Sequence, residues 1–343
     1  MKHQGFIPLY QQLFEHYRER IIRQEYRPGA RIDSIQRIMA KHAVSRETAK
    51  HVLSKLEQEK YIVKRAGKGS FVTYTREMRK IWGIVIPFLS ANIEELIGYL
   101  HDEAKDRKRD VRYYLHYNDP AEEMRQVGSM IREGYEAILV VPNDDESLTA
   151  HFYRKLNSGR TSIILLDHTM VGSFFNYVIQ SYDLGVKRAF QYLMRQNPDH
   201  FLFIKDENWR GANQVHELME QSFRMFIQKQ CPDRLLHVVS GLHALDQAFF
   251  RKWRIGGILC NRDVDAVRLV RRIQDWGMEL PDDIALVCYG NTELTVSGRL
   301  PLTVVDCQYR AMAREAISLI NCDECHRVTR QVILEPELVI RST

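Results

Sequence analysis

Apolar residues recur at helical spacing in the first part of the chain and in short, near-continuous runs thereafter, with the change of pattern near residue 75. Leu13, Phe14, Tyr17, Ile21 and Ile22 form a stripe that predicts a helix entered through Pro8-Leu9-Tyr10 and ended by Arg27-Pro28-Gly29. Ile32-Asp33-Ser34 caps a second helix to about Lys41, and Ser45 caps a third in which Val52, Leu53 and Leu56 face a small core. Arg46, Thr48 and Lys50 are left pointing outward, with His51 also near the start of this helix. Tyr61-Ile62-Val63-Lys64 and Ser70-Phe71-Val72-Thr73 are β-rich runs around Arg65-Ala66-Gly67-Lys68-Gly69, which predicts a hairpin wing with a basic tip. Thr75 to Lys80 reads as a short charged linker.

From Ile81 onward strand-like runs occur at 81–87, 111–117, 137–141, 162–167, 177–179, 200–204, 235–239, 257–260, 284–289 and 301–305. Helix-compatible segments such as 94–107, 122–133, 184–195, 214–229 and 264–276 separate most of them. This alternation predicts an α/β fold with parallel sheets covered by helices on both faces, and the number of strands predicts two lobes. The expected boundaries are a first domain at 1–75, a linker at 76–80 and a two-lobed domain at 81–343. Lobe one is expected at about 81–180 plus 301–320, and lobe two at about 181–300 plus 321–343. Ligands of open parallel sheets bind beyond the carboxyl ends of the strands, here the loops 88–92, 167–168, 205–210, 261–263 and 290–291. Ser90, Asn92, Asp167 and His168 are candidate contacts there, with a plain turn role as the alternative for each.

Charge sharpens this division. The chain of 343 residues has a net charge of +5, but residues 1–75 hold 15 Lys+Arg against 7 Asp+Glu, and the remainder 34 against 37. A basic head on a mildly acidic body fits a phosphate-binding module joined to a domain that does not bind nucleic acid. No export signal or apolar run of about 18 residues is recognised, so a cytoplasmic protein with no membrane partner is expected, with reduced cysteines. Cys322-Asp323-Glu324-Cys325-His326 superficially matches a haem or metal motif, but no second Cys/His pair completes a zinc tetrahedron. No metal or other cofactor is expected. Gly-x-Ser-x-Gly, Walker-type and His-Glu-x-x-His motifs are absent, so neither is an enzyme.

The head resembles the winged helix-turn-helix of GntR-type bacterial transcription regulators. The residues that carry the resemblance are Pro8-Leu9-Tyr10, Pro28-Gly29, Ser34, Val44 to Ala49, Leu56 and Gly67 to Val72. It implies that Arg46 reads guanine, that Ser45, Thr48, Lys50 and Lys68 hold the DNA backbone, and that the wing tip with Gly69 and Ser70 enters the minor groove. Where that family often has Leu-Pro-Ser-Glu-Arg, this chain has Ile32-Asp33-Ser34-Ile35-Gln36-Arg37. Gln36 replaces the usual DNA-contacting arginine, and Arg37 points about 100° further round the helix, so the operator is expected to depart from the family's.

The body is similar to the effector domain of LacI/GalR-type regulators, itself like periplasmic sugar-binding proteins. The matching residues are Asp263-Val264-Asp265-Ala266, Gly277 to Asn291, Leu300 to Val305 and Glu335 to Ser342. The resemblance implies that Asp263 accepts from sugar hydroxyls and that Asn291 stands for the family's aspartate; as an alternative, Asp263 caps the helix beginning at Val264. Met219 stands where the family has a hydroxyl-binding arginine, which makes Trp209 and Arg210 the substitutes to consider.

Together these features imply a ligand-responsive transcription regulator. Its expected partners are a double-stranded DNA operator, a sugar or sugar phosphate effector and a second copy of the chain as a homodimer. The rival readings are a GntR-type head fused to an enzyme, for which no Schiff-base lysine in a phosphate cradle is found, and a constitutive DNA-binding protein whose body only dimerises.

Overall fold

The computed structural model describes residues 8–22, 25–73, 79–144, 146–156, 161–168, 175–206, 214–298, 300–320 and 329–343. Trp209, Arg210, the Cys322-to-His326 motif and most of the linker lie outside the described residues. The chain divides into two compact units, with the boundary between Arg79 and Lys80.

The first unit holds α1 (Leu9–Ile22), α2 (Ile35–His42), α3 (Arg46–Gln58), β1 (Ile62–Arg65) and β2 (Gly69–Val72). The two strands pair antiparallel from Ile62↔Val72 to Arg65↔Gly69. Tyr17, Val52 and Leu56 are fully enclosed in its core with Phe14 and Ile21, as helical spacing predicts; Ile38 joins them, and Ile22 of the predicted stripe is half-buried. Asp33 adds a polar anchor: Tyr17 Oη donates to its Oδ2 at 2.9 Å and Tyr26 Oη at 3.1 Å.

The second unit opens with β3 (Arg79–Ile86), α4 (Ala91–Asp106), β4 (Asp110–Leu115), α5 (Pro120–Glu133), β5 (Tyr135–Val140), α6 (Glu146–Lys155), β6 (Ser162–Asp167) and β7 (Asn176–Gln180). It continues through α7 (Tyr182–Leu193), β8 (His200–Lys205), α8 (Gln214–Gln230), β9 (Leu236–Ser240), α9 (Gln247–Trp253), β10 (Ile255–Cys260), α10 (Asp263–Asp275) and β11 (Ala285–Tyr289). It closes with α11 (Glu293–Ser297), β12 (Thr303–Asp306), α12 (Tyr309–Ile320), β13 (Gln331–Leu334) and β14 (Glu337–Val339). These strands form two six-stranded sheets, ordered β13-β7-β6-β5-β3-β4 and β14-β12-β11-β10-β8-β9. Pairings of β3 with β4, β6 with β5 and β7, and β10 with β8 and β11 are parallel, whereas β14 runs antiparallel to β12.

Every residue of β11 is buried, as expected where helices cover both faces of a parallel sheet. Local chemistry sets the helix limits. Asp119 caps α5 by accepting from Ala121 N at 2.8 Å, Pro120 takes the first helical position, and Gly134 ends the helix with a left-handed φ of 82°.

The lobe boundaries need correction. Strand β12, expected in lobe one, lies in the second sheet, and β13, expected in lobe two, is hydrogen-bonded to β7 in the first. Helix α12 between them packs on α4, β6 and β7. A buried strand carries no local mark of which sheet it joins, so these late crossings were not readable from apolar runs.

Inside lobe one, Glu123 is fully enclosed. It accepts from Asn143 N and Nδ2 at 2.7 Å each and from Tyr153 Oη at 2.7 Å, which ties α5 to the end of β5 and to α6. Glu123→Ala would remove the acceptor that these three donors share, leaving Asn143 Nδ2 its contact with Thr149 Oγ1 at 3.3 Å. It is expected to lower the urea midpoint of the second unit by the equivalent of about 3 kcal/mol, and Glu123→Gln by less because an acceptor oxygen remains.

Candidate functional site

In the first unit two serines do the capping that the sequence suggests. Ser34 Oγ accepts from Arg37 N at 3.3 Å and Ser45 Oγ from Thr48 N at 3.1 Å, and Ser45 Oγ also lies 2.9 Å from Thr48 Oγ1. Arg46, Lys50 and Lys68 are exposed, with Lys50 Nζ 4.0 Å from Glu47. A hollow of about 530 Å³ gathers Ser34, Gln36, Arg46, Gly69 and Ser70 together with Arg31 and Lys64, which the sequence reading did not single out. Gly69 has φ +103°, and a Cβ there would stand 2.8 Å from Arg31 Nε, so glycine lets Arg31 lie against the base of the wing.

Two expectations change. His51 does not join this face: its ring stacks on Tyr10 of α1 with centroids 4.2 Å apart and planes 5° apart. Five residues beyond Arg46, it is about 140° further round the helix. Ser70 lines the hollow but is buried in the wing, where its carbonyl accepts from Ile32 N at 3.0 Å. Arg37 is exposed, with its Nε 3.5 Å from Asp33 Oδ1.

In the second unit each sheet reverses its strand order once, between β3 and β5 and between β8 and β10. The loops after these strands diverge and leave a crevice. A cleft of about 690 Å³ lies there, lined on one side by Phe88, Leu89, Ser90, Tyr117 and Asn118 and on the other by Asp206, Arg262 and Asp263. A smaller space of about 130 Å³ adds Asn92, Asp144, Asp167, His168 and His216, with Gln180, Tyr182, Tyr289 and Tyr309 also lining it.

Of the predicted contacts, Ser90, Asn92, Asp167, His168 and Asp263 are brought together here. Ser90 Oγ caps α4, accepting from Ile93 N at 3.4 Å. Asn92 rests on Gly290, whose φ is +112° and whose hypothetical Cβ would stand 2.7 Å from Asn92 Oδ1. Asp167 Oδ1 accepts from Gln180 Nε2 at 3.0 Å. Burial opposes charging of His168, but Asp167, whose Oδ2 is 3.7 Å from Nδ1, and the charges of Asp144 and Glu123 outweigh it and raise its pKa. On His216 burial, helped by the charge of Lys205, outweighs the opposing charge of Asp206 and lowers the pKa to about 4, leaving it neutral at pH 7. Asn92 Oδ1 and both ring nitrogens of His168 are enclosed without a hydrogen-bond partner among the described residues. Such atoms are costly unless something in the cleft satisfies them.

Asp263 is the first residue of α10 rather than its cap; its Oδ1 accepts from Val264 N at 2.7 Å and its Oδ2 from Thr292 Oγ1 at 2.6 Å. Asn291 is not brought into the cleft. Its Nδ2 donates to Asp306 Oδ2 at 2.9 Å and its Oδ1 accepts from Arg341, a structural pairing with the end of β12 and the carboxyl-terminal segment. Sequence reasoning missed Arg262 and Asp206, although both fall in loops it had marked, and it missed the lip at Tyr117-Asn118. Those two residues have φ of 53° and 58°, and Asn118 is clamped to Asp144 by Nδ2 to Oδ2 at 3.1 Å and by Asp144 N to Oδ1 at 3.0 Å. Left-handed backbone at consecutive non-glycine residues is strain held by its surroundings, and nothing in the local sequence announces it.

A winged helix with an exposed Arg46 and a basic wing, joined to a two-sheet domain with a cleft of aromatic and charged residues at its switch points, defines a ligand-binding transcription regulator. Comparison with known proteins identifies the two parts. Residues 9–72 match the bacterial regulatory proteins of the gntR family and residues 190–343 match the periplasmic binding protein-like domain, so the chain is a regulator with a GntR head and a periplasmic-binding-protein-like body, not an enzyme. It is 22% identical to the arabinose metabolism transcriptional repressor of Geobacillus stearothermophilus, with 98% of each chain covered. It is likewise 22% identical to the repressor of the same name in Halalkalibacterium halodurans, over 92% of this chain and 90% of that one. In fold, a LacI family regulator from Arthrobacter in complex with lactose matches 77% of this chain and 98% of its own, with TM-score 0.63 at 17% identity. A periplasmic binding protein/LacI regulator from Alkaliphilus metalliredigens, complexed with D-xylulofuranose, gives TM-score 0.61 at 15% identity over 77% and 98%.

Gly290→Ala is expected to destabilise the second unit by about 1–3 kcal/mol in urea unfolding, through its left-handed backbone and the collision with Asn92. Adding Asn92→Ala should recover the part due to collision; a double variant no more stable than Gly290→Ala would assign the whole loss to backbone strain.

Proposed function

We propose that the protein represses genes of carbohydrate use, and that a neutral sugar in the cleft weakens its hold on DNA. What supports a polyhydroxylated ligand most is the pair of enclosed polar atoms on the cleft wall, Asn92 Oδ1 and His168 Nε2, that have no hydrogen-bond partner among the described residues. A sugar ring supplies both donors and acceptors at close spacing, and the nearby aromatic rings of Phe88 and Tyr117 offer an apolar face. The names of the arabinose repressors make an aldopentose the first ligand to try.

In this reading Arg46 contacts guanine, and Ser45, Thr48, Lys50 and Lys68 grip phosphates, with Arg31 and Lys64 adding charge beside Gln36. A homodimer in the cytoplasm meets a palindromic operator whose half-sites are about one helical turn apart or a multiple of it. Sugar and DNA are coupled only by the sugar's differential affinity for the DNA-competent and DNA-incompetent arrangements, typically about 1–3 kcal/mol.

The test is titration of the full-length protein onto DNA from upstream of its own gene, with and without L-arabinose and other neutral pentoses. At least one pentose is expected to weaken binding by about 5- to 150-fold. Indifference to all of them, with no thermal shift of the free protein, would favour a body that only dimerises. Arg46→Ala is expected to cost about 1–3 kcal/mol and to relax specificity at one base pair. Lys50→Ala should weaken all sequences alike and reduce the slope of log affinity against log salt by about one; an unchanged slope removes Lys50 from the phosphate contacts.

A further inference from the structure

Arg262 stands at the start of α10 with its guanidinium on the cleft wall. Nη1 donates to Asp206 Oδ1 at 2.6 Å, and Nε lies 3.4 Å from Asp265 Oδ2. Asp206 follows β8 and Asp265 is buried in the first turn of α10, so the two carboxylates approach the guanidinium from different elements. Nη2 has no partner among the described residues. Among the described residues the other charged groups lining the cleft are mostly acidic, Glu94, Asp144, Asp167 and Asp263, and His168 is the one further basic group whose pKa is raised.

A lone arginine in a cleft would invite a phosphate or carboxylate, because its fork matches their geometry. Here the charge is already answered twice. What remains is a fixed donor at Nη2, directed by its two pairings, in a wall of net negative charge. A hydroxyl needs only the donor, whereas an anion needs the uncompensated charge as well and must displace a carboxylate to obtain it.

We propose that Arg262 is the specificity-determining residue of the cleft, and that Asp206 and Asp265 turn it from an anion receptor into a hydroxyl donor, so that the cleft admits neutral sugars and rejects sugar phosphates and sugar acids. This deepens the sugar reading above and rests on it for the identity of the neutral ligand, but the exclusion of anions is testable separately.

The experiment is calorimetric titration of the full-length protein with L-arabinose and other neutral pentoses, with ribose 5-phosphate and with inorganic phosphate. Wild type is expected to bind a neutral pentose and to give no binding heat with either anion. Asp206→Asn, which keeps shape and removes charge, is expected to gain about tenfold or more in affinity for ribose 5-phosphate and to acquire phosphate binding that salt suppresses. Adding Arg262→Gln should erase that gain. Arg262→Gln alone should weaken the neutral sugar about tenfold while leaving anions excluded. If Asp206→Asn does not fold by circular dichroism, Asp265→Asn carries the same expectation through Nε. Wild type binding ribose 5-phosphate as tightly as a neutral pentose overturns the proposal, as does a folded Asp206→Asn protein that still rejects both anions. Phosphate binding gained by Asp206→Asn when no neutral pentose binds wild type would uphold the filter and overturn the sugar reading instead.

Discussion

The side-chain amide of Gln180 occupies the point where the chain first leaves one sheet for the other, and the geometry of the cleft depends on it. Its Nε2 donates to Asp167 Oδ1 at 3.0 Å and to Tyr182 Oη at 3.2 Å, and its Oε1 accepts from Tyr289 Oη at 3.4 Å. These partners belong to β6, α7 and β11, so one buried amide joins the carboxyl edge of the first sheet to that of the second. The later crossings close on the same place: Ser181 N donates to Leu334 O at 2.9 Å, and Gly290 N to Val305 O at 2.9 Å. A buried polar group is expensive in any arrangement that leaves it unsatisfied, so this network selects one geometry for the three crossings. Asp167, Gly290 and through Gly290 Asn92 take their positions from it.

Capping explains why part of the function was legible before the structure. A serine at a helix start accepts one amide hydrogen bond with a lone pair and still has its own O–H to give. Ser45 does this before Arg46, and Ser90 does it at the cleft. The same residue therefore marks the helix boundary, which sequence patterns reveal, and sits where the proposed reading needs a hydroxyl. The alternating strands and helices of the body were legible for a similar reason, since burial on both faces demands near-continuous apolar runs.

What could not be read is what depends on distant partners. Asn291 and Arg262 both follow strands at the carboxyl edge of one sheet, and both are polar, yet only Arg262 faces the cleft. Asn291 is claimed by Asp306 and Arg341, 15 and 50 residues away in sequence. His51 has the composition of a DNA contact but the helical phase of the α1 interface, and there the phase of the helix outweighed residue type. Sheet membership of β12 and β13 likewise turns on the last two crossings, which leave no periodic signal.

The cleft and the head also differ in how their charges act. In the head the excess of basic over acidic residues acts at long range and is screened by salt, so it supplies attraction to any DNA, and the proposed reading leaves selection to Arg46 and Gln36. In the cleft Arg262 is held between Asp206 and Asp265 and His168 lies beside Asp167, so on the proposed reading selection falls to the direction of individual donors and acceptors. Coupling between two such sites is reciprocal: a sugar that weakens DNA binding by a given factor is itself bound more weakly on DNA by the same factor. Operator occupancy therefore depends on sugar affinity in both states, and any residue that changes sugar affinity equally in the two, as a contact made within one lobe does, moves the dose at which the response occurs without changing its maximum extent.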